Sequence, residues 1–214
     1  MLTPGPCVFV IDDDASVRKG VSRLLKSAKY QTEVFSSASD FLDRPAYQGP
    51  SCVVVDVRMP GLTGVDLQET LLRRRREEQL IFVTGHGDIA MCAQVMKKGA
   101  VDFLPKPFKP DELLKCVEDA LMRSTERRRL QAGRDEARAR LDLLTPREFE
   151  VAQLVARGML NKQIGAELNM AEKTVKVHRG RAMHKLRITS VAELVRLVEA
   201  AGVAAAGTNG TKVS

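Results

Sequence analysis

Apolar residues fall in five short runs over the first half of the chain: CVFVI (7–11), TEVF (32–35), CVVVD (52–56), LIFVT (80–84) and AVDFL (100–104). Three are nearly continuous, the pattern of strands covered on both faces. The stretches between them have helical spacing. In ASVRKGVSRLLKSA, Val17, Val21, Leu24 and Leu25 form one stripe. VDLQETLLRRRREE (65–78), IAMCAQVMKKGA (89–100) and PDELLKCVEDAL (110–121) follow the later runs. Gly99 suits a helix end and Pro110 a first helical turn. The alternation predicts an α/β fold, a doubly wound five-stranded parallel sheet with helices on both faces.

The pattern then changes. MRSTERRRLQAGRDEARARLDLL (122–144) is strongly charged, with Leu130, Ala137 and Leu144 seven residues apart and Leu141 on the same face. It predicts a long exposed helix; a short parallel coiled coil stays open, since two heptads are too few to claim one. From 145 onward everything reads as helix. TPREFEVAQLVARG opens with Thr145 as N-cap, Pro146 at N1 and Glu148 completing a capping box. NKQIGAEL (161–168) is a short second helix with Asn169 at its stop, EKTVKVHRGRAMHKL (172–186) a third, and SVAELVRLVEAAG (190–202) a fourth. The resulting division is 1–122, an α/β domain; 123–144, a helical linker; 145–202, an all-α four-helix domain; and 203–214, a tail expected to be disordered.

Charge separates these parts. Residues 1–120 hold 16 Lys and Arg against 17 Asp and Glu, 121–144 hold 7 against 4, and 145–214 hold 11 against 6. The excess behind the net charge of +7 therefore lies in the C-terminal part and its linker, a footprint suited to nucleic acid. No run approaches the roughly 18 apolar residues of a membrane span. The N-terminus lacks a basic region and cleavage site, which predicts a cytoplasmic protein without membrane attachment. Cys7, Cys52, Cys92 and Cys116 have no CxxC spacing and read as free thiols in a reducing compartment.

In open parallel sheets, chemistry sits beyond the C-terminal strand ends. Here the first strand ends at Asp12, Asp13 and Asp14, the third at Asp56 and the fourth at Thr84, and Lys106 follows the fifth. Clustered carboxylates repel and call for a cation, and hard oxygen ligands favour Mg²⁺. Beside Mg²⁺, Asp56 can attack a phosphoryl donor to give an acyl phosphate. Thr84 can donate to a phosphoryl oxygen, and Lys106 can offset its charge.

VIDDDASVR (10–18), VVVDVRMPGLTGVDL (53–67), FVTGHGDIAM (82–91) and FLPKPF (103–108) resemble, in order and spacing, the receiver domain of two-component response regulators. The resemblance implies a flavodoxin-like sheet of order 2-1-3-4-5. It makes Asp56 the phosphoacceptor and Asp13 a direct metal ligand, with Asp12 acting through water and Arg58 lending its backbone carbonyl. Thr84 and Phe103 become the switch pair, Lys106 contacts the phosphate, and the Lys106–Pro107 bond is expected to be cis. Asp14 receives no metal role.

The second and third helices of the C-terminal part have helix-turn-helix proportions. On the third, Val175, Ala182 and Leu186 face one side, and Lys176, Val177, Gly180 and His184 the other. Val177 can meet a thymine methyl, while Arg179, Arg181 and Lys185 flank that face toward phosphates. LTPRE, NKQIGAEL and KTVKVH resemble the LuxR-type DNA-binding domain, and the whole chain resembles FixJ/NarL-class response regulators, with TGHGDIAM leaning to the FixJ side. The implied DNA-contacting set is Lys173, Thr174, Lys176, Val177, His178, Arg179, Gly180, Arg181 and Lys185. Gly180 stands where relatives carry Lys, and Ala171 where many carry a Ser cap.

The resemblance also implies its partners: a sensor histidine kinase, double-stranded promoter DNA, RNA polymerase, and a second copy of the chain after phosphorylation. The expected protein is a phosphorylation-controlled transcriptional regulator and not an enzyme. An Mg²⁺-dependent phosphohydrolase would carry a second Asp two residues after its nucleophile, where this chain has Arg58. A constitutive DNA-binding protein with a degenerate receiver would lack the metal acids or Lys106, and all are present. RRRR (73–76) reads as cations at a helix C-terminus and His86 as a structural loop residue.

Overall fold

A computed structural model describes residues 4–85 and 96–203. The chain divides after Arg128 into two compact units. In the first, five parallel strands, β1 (Cys7–Ile11), β2 (Gln31–Phe35), β3 (Ser51–Asp56), β4 (Gln79–Thr84) and β5 (Asp102–Pro105), pair in the order β2-β1-β3-β4-β5. The predicted α/β sheet and its order are thus observed. Helices α1 (Ala15–Ser27), α2 (Ala38–Asp43), α3 (Gly64–Arg73) and α4 (Pro110–Leu141) belong to the described residues. The helix expected over 89–100 lies mostly outside them, as do His86 and Cys92.

The strand sequences explain the layers. Side chains alternate across a strand. Cys7, Phe9 and Ile11 enter one core with Phe41 and Leu67, while Val8 and Val10 enter another with Leu25 and Leu113. β1 and β4 are buried along their whole length, which is why their apolar runs are unbroken. Cys7, Cys52 and Cys116 are buried free thiols, as the sequence predicts.

The short helix α2 has no counterpart among the expected helices, and β5 and α3 depart from their expected bounds. β5 starts at Asp102 rather than Ala100. Gly99 turns the chain at φ +91, and Val101 N–H reaches Leu80 O at 2.8 Å as a lead-in to the ladder. α3 ends at Arg73, so RRRR lies mostly beyond it. Arg75 adopts φ +53 without a glycine, and the chain reverses. Arg76 then binds Glu78 at 2.6 Å and stacks over Phe41, while Arg44 binds the same carboxylate at 3.0 Å and lies over Phe9. A carboxylate this buried requires such pairing.

The second unit contains α5 (Pro146–Ala156), α6 (Asn161–Glu167), α7 (Glu172–Leu186) and α8 (Val191–Ala200). The capping box of Thr145 and Glu148 forms, Asn169 turns at φ +51, and Ser190 caps α8. Ala171 provides no side-chain cap to α7. The linker is continuous with the preceding helix. Ala137, Leu141 and Leu144 are 4%, 3% and 9% exposed in the core of this unit, whereas Leu130 is 52% exposed. Their heptad spacing therefore marks a buried seam with α5–α8. Val203, read as the first tail residue, packs against the same core. No helix among the described residues is long and apolar enough to cross a membrane.

Candidate functional site: an acidic cluster and a basic helix

The carboxyl ends of β1 and β3 are adjacent because those strands pair, with Ile11 opposite Val55. Each strand carries its acids just past its buried run. Asp12, Asp13 and Asp56 consequently bring one carboxylate oxygen each within 4.8 Å of one another. Lys106, delivered by the loop after β5, places Nζ 2.7 Å from Asp12 Oδ2 and 3.3 Å from Asp56 Oδ2. The Lys106–Pro107 bond is cis, as expected. Thr84 ends β4, fully buried, and its carbonyl accepts from Lys106 N–H at 2.7 Å. Phe103 on β5 is partly buried against the Phe9 core. Arg58 is exposed in the loop after β3.

Burial pushes the Asp56 carboxyl above its ordinary value, with Asp12 adding to the rise; Lys106 and a backbone hydrogen bond from Arg58 oppose it. Burial works to lower the Lys106 ammonium, but bonding and attraction to Asp12 and Asp56 outweigh it and the group is raised. Among the described residues, Lys106 is the one cation ion-paired with any of these three carboxylates, which leaves the cluster short of positive charge. A hard divalent ion with oxygen ligands answers that shortage, so the residues fit Mg²⁺.

Several supporting residues escape a reading by motif. Asp14 is the N-cap of α1, accepting from Ser16 and Val17 N–H, and those bonds lower its carboxyl. Arg18 donates through Nη1 to Asp12 O at 2.6 Å and Asp13 O at 2.9 Å, pinning the acid-bearing turn. Gly64 sits where a Cβ would lie 2.6 Å from Asp56 O and 3.2 Å from a Phe82 ring carbon. Gly64→Ala is therefore expected to displace the Asp56 backbone and cost roughly 1–3 kcal/mol. Urea unfolding should record that loss, and a stability equal to the native chain's would show that the loop yields freely.

In the second unit, Lys173, Thr174, Lys176, Val177, Gly180 and Arg181 are exposed on α7, opposite buried Val175, Ala182 and Leu186. Val177 is 45% exposed, and nothing lies within 4 Å of a Cβ added at Gly180. His178 and Arg179 are half-buried, and Arg179 Nη1 donates to Asn161 Oδ1 at 3.3 Å. The sequence groups Lys185 with the phosphate-facing cations, but the structure ties its ammonium to Glu148 at 2.6 Å. The reason is Glu148 itself, whose side chain is only 4% exposed and needs a partner.

The Lys185 bond and the Thr145 backbone hold the Glu148 carboxyl down at about 2. A depressed carboxyl contributes stability above its ordinary value near 4.5 and loses it as pH falls toward about 2. The second unit should weaken across that window, and Glu148→Gln should remove this part of the acid sensitivity. Denaturant midpoints for α5–α8, followed by amide exchange, test it; equal acid sensitivity in both chains would refute it.

The sequence matches the response regulator receiver domain over residues 8–118 and the luxR family of bacterial regulatory proteins over 142–198. The chain belongs to the response regulators of the FixJ and NarL class. This response regulator is 44% identical to nodulation protein W of Bradyrhizobium diazoefficiens over 206 residues, covering 96% of this chain and 91% of that protein. It is 38% identical to the transcriptional regulatory protein FixJ of the same organism, covering 92% and 96%. The solved structure of response regulator StyR superposes with a TM-score of 0.78 at 47% identity, covering 91% of this chain and 98% of that one. Full-length FixJ from B. japonicum gives 0.55 at 37% identity, covering 94% and 98%. The regulator thus joins a receiver to a luxR-type DNA-binding domain, in a family where control by phosphorylation is typical and receivers bind Mg²⁺ at an acidic pocket.

Proposed function

We propose that the regulator accepts a phosphoryl group on Asp56 from a sensor kinase's phosphohistidine, and that the modified chain dimerises and reads promoter DNA through α7. The observation that carries this reading is the convergence of Asp12, Asp13, Asp56 and Lys106 at one sheet edge. Asp13 and Asp56 would hold Mg²⁺ directly, with the Arg58 carbonyl as a further ligand and Asp12 acting through water. The ion supplies charge neutralisation for the transferring phosphoryl oxygens. Asp56 Oδ forms the new O–P bond as the N–P bond to imidazole breaks, and the imidazole retains the electron pair. Lys106 moves from bridging two carboxylates to facing the phosphoryl group. Thr84, at the end of β4, donates its hydroxyl to the same group, and Phe103 follows it.

On the DNA side, Lys176, Val177 and Gly180 face the base edges. Lys173, Thr174 and Arg181 contact phosphates, while His178 and Arg179 support the helix from its half-buried flank and Lys185 ties its exposed last turn to Glu148. The absence of neighbours around Gly180 leaves room for close backbone approach. RNA polymerase is the partner through which bound regulator acts, and the kinase and chromosome place the chain in the cytoplasm.

The test is DNA affinity of the full chain, on a duplex enriched by it from a random pool, with and without acetyl phosphate and Mg²⁺. Tighter binding with a shift to dimer by light scattering is expected. Identical affinity and mass in a verified acyl phosphate would overturn the reading.

A further inference from the structure

We propose that Arg140, on the last turns of α4, is a specificity-determining positioning residue for α7, a role that rests on the reading of α7 as the DNA-contacting helix. Arg140 Nη2 donates to Leu186 O at 2.7 Å. Leu186 is the final residue of α7. Two bonds already close that end: Arg187 N–H to His184 O at 3.1 Å and Ile188 N–H to Met183 O at 3.1 Å, with Arg187 at φ +52. This is a Schellman closure built without glycine. It leaves the Leu186 carbonyl for an outside donor, and Arg140 takes it. The guanidinium also sets a positive charge at the negative end of the helix dipole.

Arg138 repeats the arrangement on α8, donating from Nε to Ala201 O at 2.9 Å, beside Gly202 at φ +63. Two arginines spaced two residues apart therefore grip the closing carbonyls of two different helices. Their helix is fixed in turn, because Ala137 and Leu141 are buried in the same core.

Apolar contacts hold α7 by Val175, Ala182 and Leu186, and side-chain bonds from Arg179 to Asn161 and from Lys185 to Glu148 tie its flank. Burial itself is non-directional, so sliding and rotation of the helix are left to packing shape and to polar contacts. A short charge-assisted hydrogen bond at one end is directional and sets both. Base reading requires side chains placed within about 0.5 Å. Arg140 supplies a fixed end point from which Lys176, Val177 and Gly180 are aimed.

The experiment uses the full chain as wild type, Arg140→Gln, Arg140→Lys and Lys176→Ala. Affinity is measured for the duplex enriched by wild type and for a shuffled duplex, and the ratio of the two is the readout. Arg140→Gln should lower the ratio about tenfold with α7 still helical by amide exchange. Arg140→Lys keeps the charge and an N–H donor but not the rigid fork, and should recover most, but not all, of the ratio. A wild-type ratio in Arg140→Gln, or an equal loss on both duplexes, would overturn the proposal. If Arg140→Gln does not fold, Arg140→Lys decides: a reduced ratio supports the proposal and a wild-type ratio overturns it. Lys176→Ala separates the two claims, since an unchanged ratio there refutes the assignment of Lys176 as a base-reading residue, on which the proposal rests.

Discussion

Asp56→Asn is expected to abolish phosphoryl transfer to this protein while leaving the fold intact. The amide has the shape of the carboxylate, but neither its charge nor a nucleophilic oxygen. Intact mass after incubation with acetyl phosphate and Mg²⁺ should show one phosphoryl group on the wild type and none on the variant. Retention of the adduct by Asp56→Asn would sink the assignment. Stability gives an independent readout with a definite sign. Burial raises the Asp56 carboxyl, so its charge opposes folding. Wild-type stability should then fall as pH rises from the ordinary carboxylate range through the raised value. Asp56→Asn carries no such charge and should lack that decline in the metal-free state. Added Mg²⁺ should restore the wild type selectively, because only the wild type keeps all three carboxylates.

Much of this arrangement is legible in the sequence, and the physical reasons are specific. A strand covered on both faces has no polar positions to spend, so CVFVI and LIFVT announce β1 and β4 directly. A carboxylate just past such a run has to emerge at the sheet edge, which is why Asp12, Asp13 and Asp56 can be placed together. The helix bounds of α7 follow from its charge and apolar period, and Asn169 marks the stop before it. The unread parts share a different cause. Arg18 bonds to backbone carbonyls, and any residue supplies those, so its targets leave no mark in the sequence. Lys185 and Glu148 stand 37 residues apart, and an exposed-looking lysine gives no hint of a buried partner. Arg75 takes a left-handed turn that the sequence gives no glycine to signal, and α3 ends early in consequence. The charged stretch 122–144 looks solvated by composition, yet its few apolar residues are the ones that matter.

Leu141→Ala tests that last point and carries the largest expected cost to stability. Leu141 is 3% exposed and packs in a core with Val151, Ile164 and Val175. Truncating a leucine so buried typically costs about 2–5 kcal/mol, combining lost burial with the cavity left behind. The loss should fall on the second unit. Peptide-resolved amide exchange should show faster opening across α5–α8 and unchanged protection in β1, β3 and β4. A free connector would give the opposite result, since replacing a leucine on a solvated helix by alanine, the better helix former, shifts stability by no more than a few tenths of a kcal/mol. Leu130, on the same helical face but 52% exposed, is the internal control, and Leu130→Ala should leave both units as they were. If Leu141→Ala behaved like Leu130→Ala, α4 would end as a tether, and the second unit would begin at Thr145. If it behaves as the burial requires, the last turns of α4 are a fifth helix of the DNA-binding unit, and Arg140 acts from inside it.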